Sequence, residues 1–391
     1  INAFALPGGF VYVTRGLMAH MENEAQLAVV LGHEIGHVAA RHASQRALGQ
    51  QARQLGVIAG AVGGQALFGG EAAQSILELG GIANQFITLS YSRDAERESD
   101  ALGVEYAARL GYDATQGAGF FRTLERLGEQ SGQEIPGFLS SHPDPGERNE
   151  TIQRSGAEWA ERVGGANVVG REALLERIDG VVYGEDPRQG FVEAGSFNHP
   201  SLEFRFPVPS EWQVINQPTQ VALVPESQEA YIIMSIDQKH DTAREAAEAF
   251  ASDQNLTVVQ SGVGQAGGLS SRFVVADAQN QDGTELRVRA QFIDYNGNVY
   301  VFIGVTTKAA YGTYGPRFVD VMQGFRRLTD SALLAVQPDR VDVRTSGSQA
   351  TLQQLLTGTL PQKVEPEAVA ILNQLRLNDT LVSGQSYKSV R

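Results

Sequence analysis

The chain has 391 residues, with 31 lysines and arginines against 45 aspartates and glutamates, for a formal net charge of −14 at neutral pH. That balance excludes a general nucleic-acid binder or a polybasic membrane-surface protein, both of which need clustered positive charge, while 42% hydrophobic and 19% charged residues are those of a folded chain. The absence of cysteine removes disulfides, thiolate nucleophiles and every cysteine-based zinc or iron–sulfur site.

The chain opens on Ile1-Asn2-Ala3-Phe4 as if inside a strand, and any signal peptide or lipid anchor would lie upstream of it. Residues 2–6, the turn Pro7-Gly8-Gly9 and residues 10–14 read as strand, turn and strand. Across residues 24–48 the spacing of Leu27, Val30, Leu31, Ile35 and Val38 predicts a helix, with Asn23 and Gln26 as an N-terminal capping box. Residues 56–70 form the longest uncharged apolar stretch; they are too few for a spanning helix of about 20 residues and too rich in glycine, so they read as a soluble segment, with contact to lipid or cover of a cleft as the lesser alternative. A second helix is predicted over 92–110, capped by Ser92, with Ala101, Val104 and Ala108 facing the core and Gly111 as its stop. A third, over 117–128, precedes a Ser-, Pro- and Gly-rich loop at 131–146.

Residues 1–155 therefore read as a mainly helical domain with a small sheet, and residues 156–190 as a connector with a short helical signal at 172–178. From 191 to 330 strands dominate, at 202–208, 221–224, 231–236, 271–275, 286–295 and 298–305, with helices at 242–250 and 315–324, as in a separate α+β domain. Residues 331–391 complete the chain as a small module, helical at 350–356 and strand-like at its end. The fold class as a whole is α+β.

Chemistry concentrates at His33-Glu34-Ile35-Gly36-His37. On a helix, positions four apart differ by about 40° in azimuth, so both imidazoles project from one face at the spacing a tetrahedral zinc requires. Glu34 sits about 100° away, wrong for a ligand from that face but well placed beside the reacting water. Gly32 and Gly36 interrupt this helix at about 1 kcal/mol each relative to alanine, which implies a compensating close approach of backbone. A metzincin would have Gly at 40 and His at 43, where this chain has Ala40 and Ala43. His42 is about 140° round from His37 and is expected to point away from the metal as a surface or packing residue. The remaining protein ligand must then be a distant carboxylate. Glu96 and Asp100, four apart on the second helix, share a face, which allows one to bind metal while the other holds a ligand histidine by its second nitrogen; taken alone they fit an ordinary solvated helix face better. Glu98, about 200° round, is expected to meet solvent.

With these segments side by side, the chain resembles the zinc metallopeptidase family, gluzincin in type, that includes the CAAX prenyl protease, HtpX and periplasmic BepA. The likeness rests on the run from His33 to His42, on Ser92-Arg93 followed by Glu96 and Asp100, on Ser141-His142-Pro143 with Arg148 beyond, and on the hairpin from Asn2 to Gly9. It covers residues 1–155. The resemblance implies one zinc ion per chain held by His33, His37 and Glu96, Glu34 as general base, and Asp100 behind the ligands with Arg148 near the cleft. It also implies that His142 either fills the open coordination position in a latent form or donates to the oxyanion during turnover.

BepA continues into helical TPR repeats, whereas residues 191–330 here are β-rich, with a weak similarity to the PsbP-like fold. The tail, with Leu372-Asn373 and Gly384-Gln385, faintly resembles a LysM-like cell-wall module. Together these features imply an endopeptidase for unfolded or extended polypeptides in bacterial envelope protein quality control, periplasmic or envelope-associated, with peptidoglycan as a further partner and no nucleic acid. Such a substrate would pair its backbone with a free strand edge of the hairpin. The alternative class is a latent peptidase acting as a chaperone-like or cell-wall-binding scaffold through residues 191–391.

Overall fold

The computed structural model describes residues 1–6, 8–42, 91–131, 138, 142, 145–279 and 283–391. Pro7, Ser141, Pro143, most of the loop at 131–146, the apolar stretch at 56–70 and the expected helix beyond His42 lie outside the described residues. The chain mixes helix and sheet and divides into two compact units, one taking residues 1–42, 91–185 and 338–391, the other residues 186–337.

The first unit opens with an antiparallel hairpin, β1 (Ala3–Leu6) and β2 (Phe10–Val13), on which Phe4 and Tyr12 stack at 5.2 Å. After the short α1 (Arg15–Ala19) comes α2 (Glu24–Ala39). The Asn23 side chain accepts the Gln26 N–H as expected, but the Gln26 amide oxygen accepts from Glu22 N at 2.8 Å, so only half of the capping box forms. The helix stops at Ala39 rather than running on, because Arg41 adopts a left-handed φ of 59° that no right-handed helix accommodates.

Helix α3 (Arg93–Arg109) starts at the Ser92 cap and crosses α2 at backbone contact. A Cβ on Gly32 would lie 2.9 Å from both Cα and O of Gly103, and one on Gly36 would lie 3.1 Å from Ser99 Cα. The helix-weakening glycines are thus what permits the crossing. Helices α4 (Gly117–Ser131), α5 (Pro145–Arg162) and α6 (Arg171–Ile178) pack around it, and Val29, Val30, Val104, Ala108, Phe120 and Leu124 share one core. The interval expected as a connector is therefore helical over much of its length.

Residues 338–391 have the order strand, strand, helix, helix, strand, strand, with β15 (Ala350–Thr351) and β16 (Thr380–Leu381) as an inner antiparallel pair. The antiparallel pair β14 (Val341–Thr345) and β17 (Ser386–Val390) encloses α9 (Leu352–Leu356) and α10 (Pro366–Leu372). This segment, expected as a module of its own, shares a core with Ala19 of α1. Lys388 is fully buried and donates to Ala19 O at 3.0 Å and Met21 O at 2.9 Å, with its charge met by Glu22 Oε1 at 2.7 Å. Gln26 and Gln374 exchange amide hydrogen bonds of 3.0 and 2.9 Å at the start of α2.

The second unit is β-rich. A four-stranded sheet contains β3 (Phe191–Glu193), β4 (Ser196–His199), β5 (Phe204–Pro207) and β13 (Arg326–Arg327). A seven-stranded antiparallel sheet runs in the order β6 (Trp212–Asn216), β7 (Gln220–Pro225), β8 (Ala230–Asp237), β12 (Asn298–Thr307), β11 (Glu285–Tyr295), β10 (Leu269–Gln279), β9 (Thr257–Ala266). In β7, Val221 and Leu223 point inward and alternate with less buried neighbours, the period of a one-sided strand. Asn296 and Gly297, with φ of 49° and 77°, make the two-residue turn between β11 and β12. Helix α7 (Ala243–Ala251), capped by Thr242, packs Ala246 and Ala247 on Val274 and Phe292. Helix α8 (Tyr311–Gln323) joins the core of Phe204, Phe206, Phe302 and Phe325.

The His20 ring, buried at the end of α1 with Nδ1 2.7 Å from Gly16 O, is pushed down from 6.5 to about 4, first by burial. Between those values the unfolded chain binds a proton there that the folded chain refuses. The stability is complete above 6.5 and falls by on the order of 3 kcal/mol as the pH drops to 4. His20→Gln should flatten the acid limb of the unfolding free energy measured by urea titration; an unchanged slope would contradict the buried ring.

Candidate metal centre

The crossing of α2 over α3 places His33 and His37 against Glu96 and Asp100. Four donor atoms, one each from His33, His37, Glu96 and His142, lie within 4.8 Å of one another, all on buried residues. His33 Nε2 is 3.0 Å from His37 Nε2 and 3.1 Å from His142 Nδ1. Glu96 Oε1 is 3.0 Å from His142 Nδ1 and 3.3 Å from His37 Nε2, and Glu96 Oε2 is 3.6 Å from His33 Nε2. Donors held about 2.1 Å from a tetrahedral ion are about 3.4 Å apart, so these separations fit a single small cation.

Charge fits it as well. Glu34, Glu96 and Asp100 bring three carboxylates into one buried site against the single guanidinium of Arg148, leaving two negative charges when all are ionised. Arg148 bridges two of them, with Nη1 2.9 Å from Glu96 Oε2 and Nη2 and Nε 2.6 and 2.8 Å from Asp100, while its plane lies over Phe121 at 4.4 Å. Burial, reinforced by Arg148, holds His33 well below the ordinary imidazole range, and burial brings His37 down to about 4. Burial alone would push Glu96 up, but hydrogen bonds from His142 and His37 outweigh it and hold the carboxyl below its usual range. Neutral imidazoles beside an ionised carboxylate are the protonation states that metal ligation demands.

Glu34 is buried beside this group, with Oε1 3.4 Å from His142 Nε2 and without a hydrogen-bond partner; burial raises its pKa. His142 is pinned by its own N–H donating to Phe138 O at 2.8 Å and by the Phe138 ring stacked on it at 4.5 Å. Asp100 Oδ1 lies 2.9 Å from His33 Nδ1, behind the nitrogen that faces the other donors. All seven residues singled out in the sequence therefore meet in one place.

His42 stays outside the donor group and packs as a buried residue, as expected, but its ring turns back onto His37. Because the chain reverses at Arg41, its ring is buried and its Nδ1 comes within 3.0 Å of His37 Nδ1 and 3.3 Å of Ser99 Oγ. The Glu98 side chain is 61% exposed, yet its Oε2 reaches back to His42 Nε2 at 3.3 Å. The Tyr91 ring, which no sequence pattern marked, stacks on His37 at 3.9 Å. A signal for His42 was present in its spacing, but it is legible only once the helix is known to end before it.

Comparison with known proteins agrees with this arrangement. The profile of Peptidase family M48 matches residues 1–155. The beta-barrel assembly-enhancing protease of Yersinia pestis is 34% identical over 154 residues, which cover 38% of this chain and 31% of that protein. Metalloprotease YcaL of Escherichia coli is 35% identical over 154 residues, covering 39% and 57% respectively. The mitochondrial metalloendopeptidase OMA1 of Arabidopsis thaliana is 29% identical over 160 residues, covering 40% and 29%. The chain thus spans well under two thirds of each of these relatives. Among solved structures, cyanobacterial PsbP from Synechocystis aligns with 35% of this chain and 96% of its own at 14% identity, with a TM-score of 0.29, too low to carry an argument. The match over residues 1–155 falls on the helices that assemble the donor group, and over these residues the chain is similar to peptidase family M48.

Proposed function

We propose that the protein is a zinc-dependent endopeptidase that hydrolyses peptide bonds of extended or misfolded polypeptides in the bacterial envelope. The observation that carries this reading is the convergence of His33, His37, Glu96 and His142 around one point with the buried Glu34 carboxylate beside them. In this reading His33, His37 and Glu96 hold the ion. Zinc, when bound, supplies a Lewis acid that polarises the scissile carbonyl and makes water easier to deprotonate.

The rest of the chemistry belongs to the chain. Glu34 takes a proton from the attacking water as its oxygen bonds the carbonyl carbon, then gives that proton to the amine as the C–N bond breaks. Its raised pKa makes it a better base and, once protonated, a competent acid. Asp100 fixes the His33 ring through Nδ1, and Arg148 keeps Glu96 and Asp100 compatible in one buried volume. His142 has Nδ1 among the ligand atoms, and we assign it the role of a latch that competes for the position a substrate needs. The relatives named as beta-barrel assembly-enhancing and mitochondrial metalloendopeptidases support a polypeptide substrate. The envelope address and peptidoglycan contact through residues 331–391 are extensions of the same reading.

Three substitutions test it on the purified full chain. Glu34→Gln should lower cleavage of an unfolded protein by at least about 100-fold with zinc content unchanged; residual activity near that of wild type would remove the general base. His142→Ala should raise cleavage, and a fall would make the residue a donor during turnover instead of a latch. Arg148→Met leaves two buried carboxylates without a counter-charge and should destabilise the metal-free protein by about 3–5 kcal/mol in urea titration; a loss below about 1 kcal/mol would show that the guanidinium does not balance them.

A further inference from the structure

We propose that His42 is a positioning residue for His37, and that Glu98, through His42, fixes the tautomer in which His37 faces the metal. The inference rests on the metal reading above and adds a second support line to the site, independent of the Asp100 contact to His33.

The argument is one of proton order. A neutral imidazole has one N–H and one lone pair. His37 Nε2 belongs to the converging donor group, 3.0 Å from His33 Nε2 and 3.3 Å from Glu96 Oε1, so with an ion bound there its lone pair must be on Nε2 and its proton on Nδ1. That proton points at His42 Nδ1, 3.0 Å away. His42 must therefore accept at Nδ1 and bear its own proton on Nε2. Its Nε2 lies 3.3 Å from Glu98 Oε2, a carboxylate that can only accept. The chain of donors runs one way, from the His37 ring to His42 and from His42 to Glu98. With the opposite tautomer of His42, two N–H groups would face each other across 3.0 Å.

Ser99 Oγ, 3.3 Å from the same His42 nitrogen, is a further polar group at that end, and a hydroxyl can rotate to donate alongside His37. The two ligand imidazoles are thus backed unequally. His33 meets a buried carboxylate already shared with Arg148. His37 meets a neutral ring, whose carboxylate stands at the surface, and is clamped on its face by Tyr91 at 3.9 Å.

The test measures metal affinity, with the full chain titrated with zinc against a chromophoric chelator and with cobalt followed by its visible absorption. His42→Leu should weaken zinc binding about 10–100-fold and change the cobalt spectrum. His42→Gln should restore affinity to within about threefold of wild type, because an amide oxygen accepts from His37 Nδ1 while its N–H donates to Glu98. Glu98→Gln, at an exposed position, should weaken binding in the same direction by a smaller factor.

The melting temperature of the metal-free variants separates positioning from packing. If His42→Leu binds zinc as tightly as wild type, or if Glu98→Gln leaves affinity and spectrum unchanged, the proposal is overturned. It is equally overturned if His42→Gln loses affinity and melting temperature as fully as His42→Leu, since His42 then only fills space. Should His42→Leu fail to fold, the Gln and Glu98 variants decide alone. Failure of wild type itself to bind one zinc ion would instead remove the underlying metal reading, which is a separate result.

Discussion

The contact on which the rest of the first unit depends is that of bare backbone on bare backbone where α2 crosses α3. Gly32 and Gly103 meet with no room for a Cβ on either, and Gly36 is nearly as close to Ser99. Each glycine weakens its helix by about 1 kcal/mol relative to alanine. The return is that His33 and His37 reach Glu96 and Asp100 across a gap that any side chain would have widened. A site whose donors stand 3.0–3.6 Å apart tolerates little such widening, because ligand geometry is lost within a few tenths of an ångström.

A second constraint is charge. Three carboxylates crowded out of water would repel one another strongly, and the structure distributes the load. Arg148 binds two of them in one planar fork, Glu96 is surrounded by imidazole nitrogens, and Glu34 is left with a free oxygen and an upward-shifted pKa. A divalent cation among the donors would complete the balance left by the guanidinium. The same crowding keeps Glu34, one residue from His33, apart from Arg148's fork with one oxygen unpartnered.

Much of this was legible in the sequence because helical geometry is regular. Four-residue spacing put His33 with His37 and Glu96 with Asp100, Ser92 announced the start of α3, and the glycines in α2 foretold close approach. The limits of that reasoning are equally physical. His42 was projected onto an ideal helix that in fact ends at Ala39, and one left-handed residue, Arg41, turns its ring onto His37. Strand β9, rich in glycine and polar residues and mostly exposed, has no apolar alternation to betray it; Gly262 there leaves space for the Phe273 ring. The association of residues 338–391 with α1 and α2 depends on a buried lysine and a pair of glutamines, residue types that composition reads as surface.

That association has a temporal side. The amine that caps the carbonyls of Ala19 and Met21, just ahead of the donor helix, comes from a residue 369 positions after Ala19. During synthesis the histidine-bearing segment therefore emerges from the ribosome long before its final neighbour exists. A nascent or prematurely terminated chain lacks that brace.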